Sequence, residues 1–313
     1  MEALTFKVSE KYSQCRLDKY LSSRFPFRSR SWWGKAIADG MIDLIDRPTK
    51  AATTLKGGEI CAIDPSIFSA HRHLYDGKKL NFLFQDEALV VLDKPAGLIV
   101  HRLNTLTSGA LTCLLRERIH QDIHLVHRID RLTSGLMVVA LSKEASQSLD
   151  DQFRQGFVQK TYLALVEGSV PWDEEELSAM MGKEKGSHIR IKMVVNPKEG
   201  GKHSHTEFKI HERLGDYTVV EAKLHTGRTH QIRLHLSHLG FPIVRDKLYG
   251  SKPDLEYYEK GLANLTPFFP DWQGLHAWQL AFRHPITGKK MAFEAAPSGP
   301  MGDFIDRLHR RQQ

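Results

Sequence analysis

A charged turn placed directly before an uninterrupted apolar run is the feature that most constrains this chain. Residues 136–141 are six consecutive apolar side chains, a length typical of a strand buried within a sheet. The segment just before them, residues 127–135, sets one carboxylate, Asp130, among basic side chains. We therefore expect a buried strand that begins at a charged turn.

The residue types of this turn allow two interpretations. Asp130 should be anionic at neutral pH, since its reference pKa is about 3.9 and the neighbouring Arg128 and Arg131 favour the charge further. A fixed anion beside cations suits nucleophilic catalysis. The alternative is an ordinary solvated turn, because Asp, Thr, Ser and Gly all favour tight backbone.

A second dense element, residues 224–240, surrounds an amphipathic helical pattern with two arginines and four histidines. Thr229 is a candidate helix cap, and amides at such a start attract an anion. Arg233 would point toward that anion from the first turn. The histidines are at positions 225, 230, 235 and 238. They lack the spacing of a zinc helix and any carboxylate or cysteine partner, so no metal is predicted there.

A third element, residues 159–168, predicts a strand that opens with Lys160 and Tyr162. A tyrosine that faces a pocket offers a ring on which a base can stack and a hydroxyl for proton transfer. The alternative is core packing with a surface lysine.

Composition limits the class of protein. The chain has 313 residues, a formal net charge of +7 and a pI of about 9.2, which favours two domains and an anionic partner. Its three cysteines are far apart in the sequence, which argues against disulfides and a zinc ribbon. The sequence lacks a pattern typical of a membrane span or signal peptide, so we expect a cytoplasmic location.

The order of the patterns predicts two domains of unequal size. Residues 1–64 read as two helices followed by a small sheet, residues 65–80 as a linker, and residues 81–313 as an α+β domain dominated by a large sheet. The acidic 173–176 and lysine-rich 182–202 segments look like an exposed excursion. Basic side chains around the two helices form a candidate phosphate-binding surface or an ordinary solvated face. They are Arg24, Arg28, Arg30 and Lys35.

Taken together with residues 92–101, the three elements resemble RNA pseudouridine synthases of the RluA type, over about residues 84–297. The resemblance implies a large mixed, mainly antiparallel sheet and a reaction without cofactor or metal. It makes Asp130 the catalytic aspartate, Tyr162 the base-stacking tyrosine and Arg233 the arginine that pairs with the aspartate. It also implies RNA contacts by Arg128, and we add further candidates from the same motifs. These are Lys94, Arg228 and His230.

Three departures from the family pattern stand out. Residues 1–64 resemble the small RNA-binding module of a ribosomal protein, but the usual Asn-Gly turn between strands is replaced by residues 44–48. In the catalytic domain, Arg245 stands where glycine is commoner, and Ile129 replaces a leucine. Bulk and charge at position 245 are expected to change RNA contacts near the cleft.

The implied activity is isomerisation of a specific uridine to pseudouridine in ribosomal or transfer RNA by a monomeric enzyme. Asp130 would either attack the substrate covalently or stabilise a sugar cation and assist proton removal. One alternative is a non-catalytic RNA-binding or ribosome-assembly protein, which would show a damaged catalytic trio. The other is a nucleoside hydrolase, which would need a second carboxylate near Asp130.

Overall fold

The computed structural model describes residues 4–8, 10–24, 29–64, 67, 80–101, 110–189, 191–253, 255 and 271–312. Its contacts divide the chain into two compact units. The first comprises residues 1–75 with 260–262, and the second comprises 76–259 with 263–313. Most of the predicted linker, residues 65–80, lies outside the described residues.

The first unit contains the predicted order of two helices followed by short strands. Helices α1 (Leu17–Arg24) and α2 (Arg30–Ala38) precede strands β2 (Ile42–Leu44) and β3 (Ile60–Ile63), and a strand that the sequence patterns did not predict, β1 (Leu4–Lys7), comes first. The three strands form an antiparallel sheet in the order β1-β3-β2. The helices bury their apolar faces, which include the fully buried Tyr20 and Trp33.

The second unit is built on one large sheet. Its strands are β4 (Asn81–Gln85), β5 (Leu89–Lys94), β6 (His124–Leu125), β7 (Ser134–Ala140), β8 (Gln159–Glu167), β9 (Glu174–Lys183), β10 (Met193–Val195), β11 (Lys202–Leu214), β12 (Tyr217–Leu224), β13 (Leu275–Arg283) and β14 (Lys290–Glu294). Its helices are α3 (Leu111–Ile119), α4 (Lys143–Gln155), α5 (Gln231–His238) and α6 (Gly299–Gln312).

The strands follow the order β10-β9-β11-β12-β8-β13-β7-β5-β4, with β14 beside β13 and β6 beside β7. Within the described chain, β7 and β13 are the parallel pair and every other pair is antiparallel. This confirms the expected α+β class with a large mixed, mainly antiparallel sheet.

The apolar run at 136–141 accounts for the centre of this sheet. All seven residues of β7 are buried, as expected for a strand covered on both faces. Helix α4 packs on β7 through Ala145 and Leu149. Residue type accounts for both ends of α4. The Ser142 hydroxyl accepts a hydrogen bond from the N–H of Ala145 at the start, and Gly156, at φ +77°, ends the helix.

The expected surface excursion at 173–202 contributes strands instead. Its acidic residues begin β9, and its lysine-rich part contains the end of β9 and all of β10. Charge composition misled the prediction, because these strands lie toward one edge of the sheet and keep charged side chains on an exposed face. Across the part of the chain that the structure describes, none of the helices is both long and apolar enough to cross a membrane.

Candidate active site

The turn that carries Asp130 ends where β7 begins. The N–H of Thr133 donates to the carbonyl of Asp130 at 3.2 Å, and the first two residues of β7 pair with β13. Gly135 has φ +109°, and a Cβ at this position would lie 2.3 Å from the carbonyl oxygen of Ala277. Glycine is therefore required for β13 to approach closely enough to support the turn.

A buried lysine ties this turn to the loop that follows β5. Lys94 is fully buried, and its Nζ donates to the carbonyls of Pro95, Leu98 and Arg131 at 2.7, 3.0 and 3.1 Å. Burial lowers the pKa of Lys94 to about 7, although the charge of Asp130 acts in the opposite direction. This placement differs from the predicted RNA contact, because the ammonium bonds internal carbonyls and does not reach the surface.

Arg233 reaches the same turn from the first turn of α5. Its Nη1 donates to Asp130 Oδ2 at 2.7 Å. On its other edge, Nε and Nη2 donate to the two carboxylate oxygens of Asp246 at 2.6 and 2.8 Å. The N–H groups of Leu248 and Tyr249 in turn donate to Asp246 Oδ1. The planar guanidinium is clamped between two carboxylates, which fixes both its position and its orientation.

The start of α5 differs from the expectation that Thr229 caps it. The residue before the helix is His230, in the left-handed region at φ +60°, and its side chain makes no cap hydrogen bond. Gln231 supports the turn instead, because its Oε1 accepts from the N–H of Arg228 and from the hydroxyl of Thr226. The Nε2 atom of His230 lies 3.8 Å from Asp130 Oδ2.

The surroundings of Asp130 keep its carboxylate ionised. Burial alone would raise the pKa of Asp130, but nearby charge, from protonated His230 and from Arg233, lowers it to about 2. Burial lowers the pKa of His230 to about 4, with the charge of Arg233 acting in the same direction. The imidazole is thus neutral at pH 7, and Arg233 is the group whose charge stabilises the anion there.

Tyr162, on β8, lines the same cleft as Asp130. It is 8 % exposed, and burial raises its pKa well above the usual range, with a further contribution from the charge of Asp130. The hydroxyl therefore stays protonated at neutral pH. Its ring is available as an apolar wall of the cleft.

The cleft around these residues has a volume of about 740 Å³. Basic side chains make up much of its wall, so it is suited to a polyanion. They are Arg128, Arg154, Lys160, Arg228 and Arg233. Of the predicted RNA contacts, Arg128, Arg228 and His230 line this cleft. Arg128 is exposed, whereas Arg228 is half-buried and its Nε donates to the carbonyl of His203 at 2.9 Å.

The predicted RNA contacts near the N-terminus belong to the first unit. Arg30 and Lys35 are exposed on α2, and Arg30 Nε donates to Asp18 Oδ2 at 3.1 Å. The side chain of Arg24 lies outside the described residues. Asp18 also binds Arg16, and that bond lowers the pKa of Asp18 to about 2. Part of the basic charge on this unit is thus neutralised within it.

Sequence reasoning missed two side chains that position Arg233 and His230. Asp246 clamps Arg233, and the Tyr249 hydroxyl lies 3.0 Å from His230 Nδ1. Both lie in the 241–250 segment, where the spacing of an aspartate and a tyrosine was the only available signal. Nor do the four histidines gather together. His235 is buried between the hydroxyls of Ser204 and Thr206.

Comparisons with known proteins agree with this geometry. The RNA pseudouridylate synthase family matches residues 88–238. Over 99 % of both chains, the sequence is 31 % identical to an uncharacterised RNA pseudouridine synthase of Bacillus subtilis. It is 34 % identical to the ribosomal large subunit pseudouridine synthase C of Pasteurella multocida, over 97 % of this chain and 94 % of the other.

The solved structure of human RNA pseudouridylate synthase domain containing 1 is similar in fold. Its TM-score is 0.58 at 24 % identity, over 75 % of this chain and 96 % of the other. The sheet and its cleft therefore define a protein with the pseudouridine synthase fold. With relatives above 30 % identity along nearly the whole sequence, the chain belongs to the RNA pseudouridine synthase family. It is an enzyme that isomerises uridine to pseudouridine in RNA.

Proposed function

We propose that this enzyme modifies a uridine of ribosomal RNA of the large subunit and that Asp130 is its catalytic carboxylate. The observation that carries the second part is the 2.7 Å bond between Arg233 Nη1 and Asp130 Oδ2, inside a cleft lined with basic side chains. The first part is supported by relatives named as large-subunit synthases in Pasteurella multocida and Neisseria meningitidis, each 34 % identical.

A uridine stacked in RNA cannot reach Asp130, so the nucleotide has to be extruded into the cleft. The exposed guanidinium of Arg128 binds backbone phosphate beside the extruded nucleotide, and Arg228, which lines the same cleft, supplies a further phosphate contact. The ring of Tyr162 stacks on the uracil. Stacking on a protein ring replaces part of the energy that the base loses when it leaves its neighbours.

The reaction breaks the bond between ribose C1′ and uracil N1 and forms a bond between C1′ and uracil C5. The proton on C5 must then leave, and the released N1 takes up a proton. A carboxylate held anionic beside C1′ assists the first step either by bonding to the substrate or by stabilising positive charge on the sugar. In both routes the ionised form of Asp130 is the reactive one, and Arg233 maintains it.

His230 presents a neutral imidazole to Asp130 in this scheme, at a distance too long for a direct hydrogen bond. The N–H of Met193 donates to the hydroxyl oxygen of Tyr249 at 2.9 Å, so the hydroxyl can give its own proton to His230 Nδ1. The imidazole proton then resides on Nε2, which lies 3.8 Å from Asp130 Oδ2. The neutral imidazole therefore lines the site beside the carboxylate without neutralising it.

The first unit supplies a second RNA-binding surface in this proposal. Arg30 and Lys35, exposed on α2, bind phosphate without reading sequence. Because the substrate is ribosomal RNA, we place the enzyme in the cytoplasm, where ribosomes are assembled and work. A non-catalytic RNA-binding role is disfavoured by the intact trio of Asp130, Tyr162 and Arg233.

The proposal is tested by chemical mapping of pseudouridine in total RNA from cells that have the gene and from cells that lack it. Cells that lack the gene are then re-supplied with the wild-type protein or with Asp130→Asn. We expect loss of sites in large-subunit RNA that only the wild-type protein restores. Loss confined to transfer RNA would contradict the substrate class. Restoration by Asp130→Asn would contradict the catalytic assignment.

A further inference from the structure

Three potential metal ligands converge on the exposed face of the sheet beside the cleft. They are His205 and Glu207 on β11 and His225 at the end of β12, and their ligand atoms all lie within 4.8 Å of one another. Among the described residues, no other group of three histidine, cysteine or carboxylate side chains has its ligand atoms this close together. His225 also lines the cleft, so the group lies at its rim.

The backbone holds these side chains in place. His205 and Glu207 are two positions apart on one strand, so both point to the same face. On one side Glu207 pairs with Lys223 of β12, two residues before His225, and on the other it pairs with Glu176 of β9. Three neighbouring strands thus supply two imidazoles and two carboxylates to one patch, and strands position ligands more precisely than loops do.

One atom of this group lacks a partner. Nε2 of His205 is buried and makes no hydrogen bond to the described residues. The carboxylate oxygen Oε2 of Glu176 lies 3.4 Å away, without hydrogen-bond geometry. Buried polar atoms are nearly always bonded, and an unpaired one often marks a water or an ion.

The remaining contacts orient the other two ligands. Nε2 of His225 lies 2.6 Å from Glu207 Oε1, so a hydrogen bond joins the two groups there. The two imidazole rings stack 4.4 Å apart with 15° between their planes. Lys223 holds the second oxygen of Glu207 at 2.8 Å and leaves Oε1 facing the imidazoles.

We propose that His205, Glu207 and His225 bind one divalent transition metal ion of the zinc class, with Glu176 as the fourth ligand. Two imidazoles and two carboxylates suit a tetrahedral zinc ion, whereas magnesium and calcium prefer sets made of oxygen alone. The ion replaces the proton between His225 and Glu207, and it satisfies His205 Nε2. The displaced proton moves to Nδ1 of the imidazole, so His225 binds the ion as a neutral ligand.

The site has a structural consequence for the cleft. His225 directly precedes the turn at residues 226–228, which carries Arg228, and the Thr226 hydroxyl accepts from the N–H of His205. A bound ion fixes His225 to β11 and so restrains this turn at the rim. This role is separate from the proposed catalysis by Asp130.

The test is a titration of the untagged full-length protein with Co²⁺ alone, followed by visible absorption and by metal analysis after dialysis. We expect one Co²⁺ per chain with the absorption of a tetrahedral ion. His205→Ala should bind at least ten times more weakly. Glu207→Gln, which keeps the shape of the side chain, should show the same loss.

A matched control is His211→Ala, because His211 is also on β11 and also contacts a glutamate, Glu221, at 2.9 Å. It should bind Co²⁺ as the wild type does. Circular dichroism and thermal unfolding of each variant separate loss of ligand from loss of fold. Equal binding by His205→Ala and His211→Ala, or no Co²⁺ uptake by the folded wild type, would overturn the proposal. Neither readout depends on pseudouridine formation, so a failure here is distinguishable from a failure of the proposed function.

Discussion

Asp130 and Arg233 are joined by a 2.7 Å hydrogen bond although 103 positions separate them in the chain. The arginine is nearly buried, and the exposed fraction of the aspartate side chain is 25 %. The guanidinium stabilises the negative charge of a carboxylate that still faces the cleft. Because the Asp130–Arg233 pair is largely shielded from solvent, the carboxylate is held in a fixed orientation. A fully exposed ion pair would be screened by water.

Asp130→Asn should abolish pseudouridine formation and leave RNA binding within about threefold of the wild type. The amide has the same shape but cannot act as an anionic nucleophile or stabilise a cation, so turnover should fall by on the order of a thousandfold or more. Pseudouridine mapping on purified large-subunit RNA measures the first effect and fluorescence anisotropy the second. Retained turnover would contradict the role of Asp130.

Tyr162→Phe should bind RNA as the wild type does but react more slowly. The ring is kept for stacking, while the hydroxyl is lost. Tyr162→Leu removes the ring as well, and we expect its KM to rise about tenfold, since a stacked base contributes about 1–3 kcal/mol. Steady-state kinetics of both variants separate the two contributions. Equal KM values for them would argue against stacking.

Asp246→Asn should lower both stability and kcat. Asp246 is buried and holds Arg233 through two bonds, and disrupting a buried pair from one side costs about 3–5 kcal/mol. The neutral amide keeps one acceptor, so we expect about 3 kcal/mol, measured by urea unfolding. Since Asp246 acts through Arg233, the loss in kcat should be accompanied by a higher apparent pKa in the acidic limb of the kcat profile.

Asp246→Glu serves as the comparison, because it retains the charge on a longer side chain. It should recover part of the stability and shift the acidic limb back toward that of the wild type. If Asp246→Asn showed the kcat profile of the wild type, Arg233 would be held in place by other contacts.

The protein should lose stability as the pH falls from 6.5 toward 4. Burial lowers the pKa of His230, His235 and His276 from 6.5 to about 4. In this window the unfolded chain binds more protons than the folded one, so stability decreases as pH falls. At pH 5 each of these histidines should cost about 2 kcal/mol relative to pH 7.

Urea unfolding at pH 7 and pH 5 checks this expectation, with His235→Gln as the variant that removes one titrating group. The variant should show a smaller difference between the two pH values than the wild type. The lowered pKa of Asp130, about 2, makes its own contribution disappear only below about pH 4. A wild-type protein equally stable at both pH values would contradict the burial of neutral histidines.

Local sequence patterns were sufficient to predict the elements that place the site. The apolar run at 136–141 predicted the buried strand β7. The helical pattern in residues 224–240 predicted α5. These signals depend on neighbours in sequence, because strand and helix periodicity and turn propensity are properties of short segments. The family motifs added the identities of Asp130, Tyr162 and Arg233.

Only the tertiary structure determined which of these residues meet and what supports them. Lys94 was predicted at an RNA surface, but the pairing of β5 with β7 buries it beneath the turn. The pairing of Asp246 with Arg233 could not be predicted from the sequence, because the two residues belong to different elements. Arg245 occupies a left-handed position at φ +61° and pairs with Asp271. Glycine suits such a backbone best.

The sequence alone therefore predicted the elements that place the proposed site and the residues assigned to it, since periodicity and residue type are local properties of the chain. The folded sheet decided their distances, burial and charge state. Those quantities depend on strand order and on solvent exclusion between segments about a hundred residues apart, as in the bond between Asp130 and Arg233.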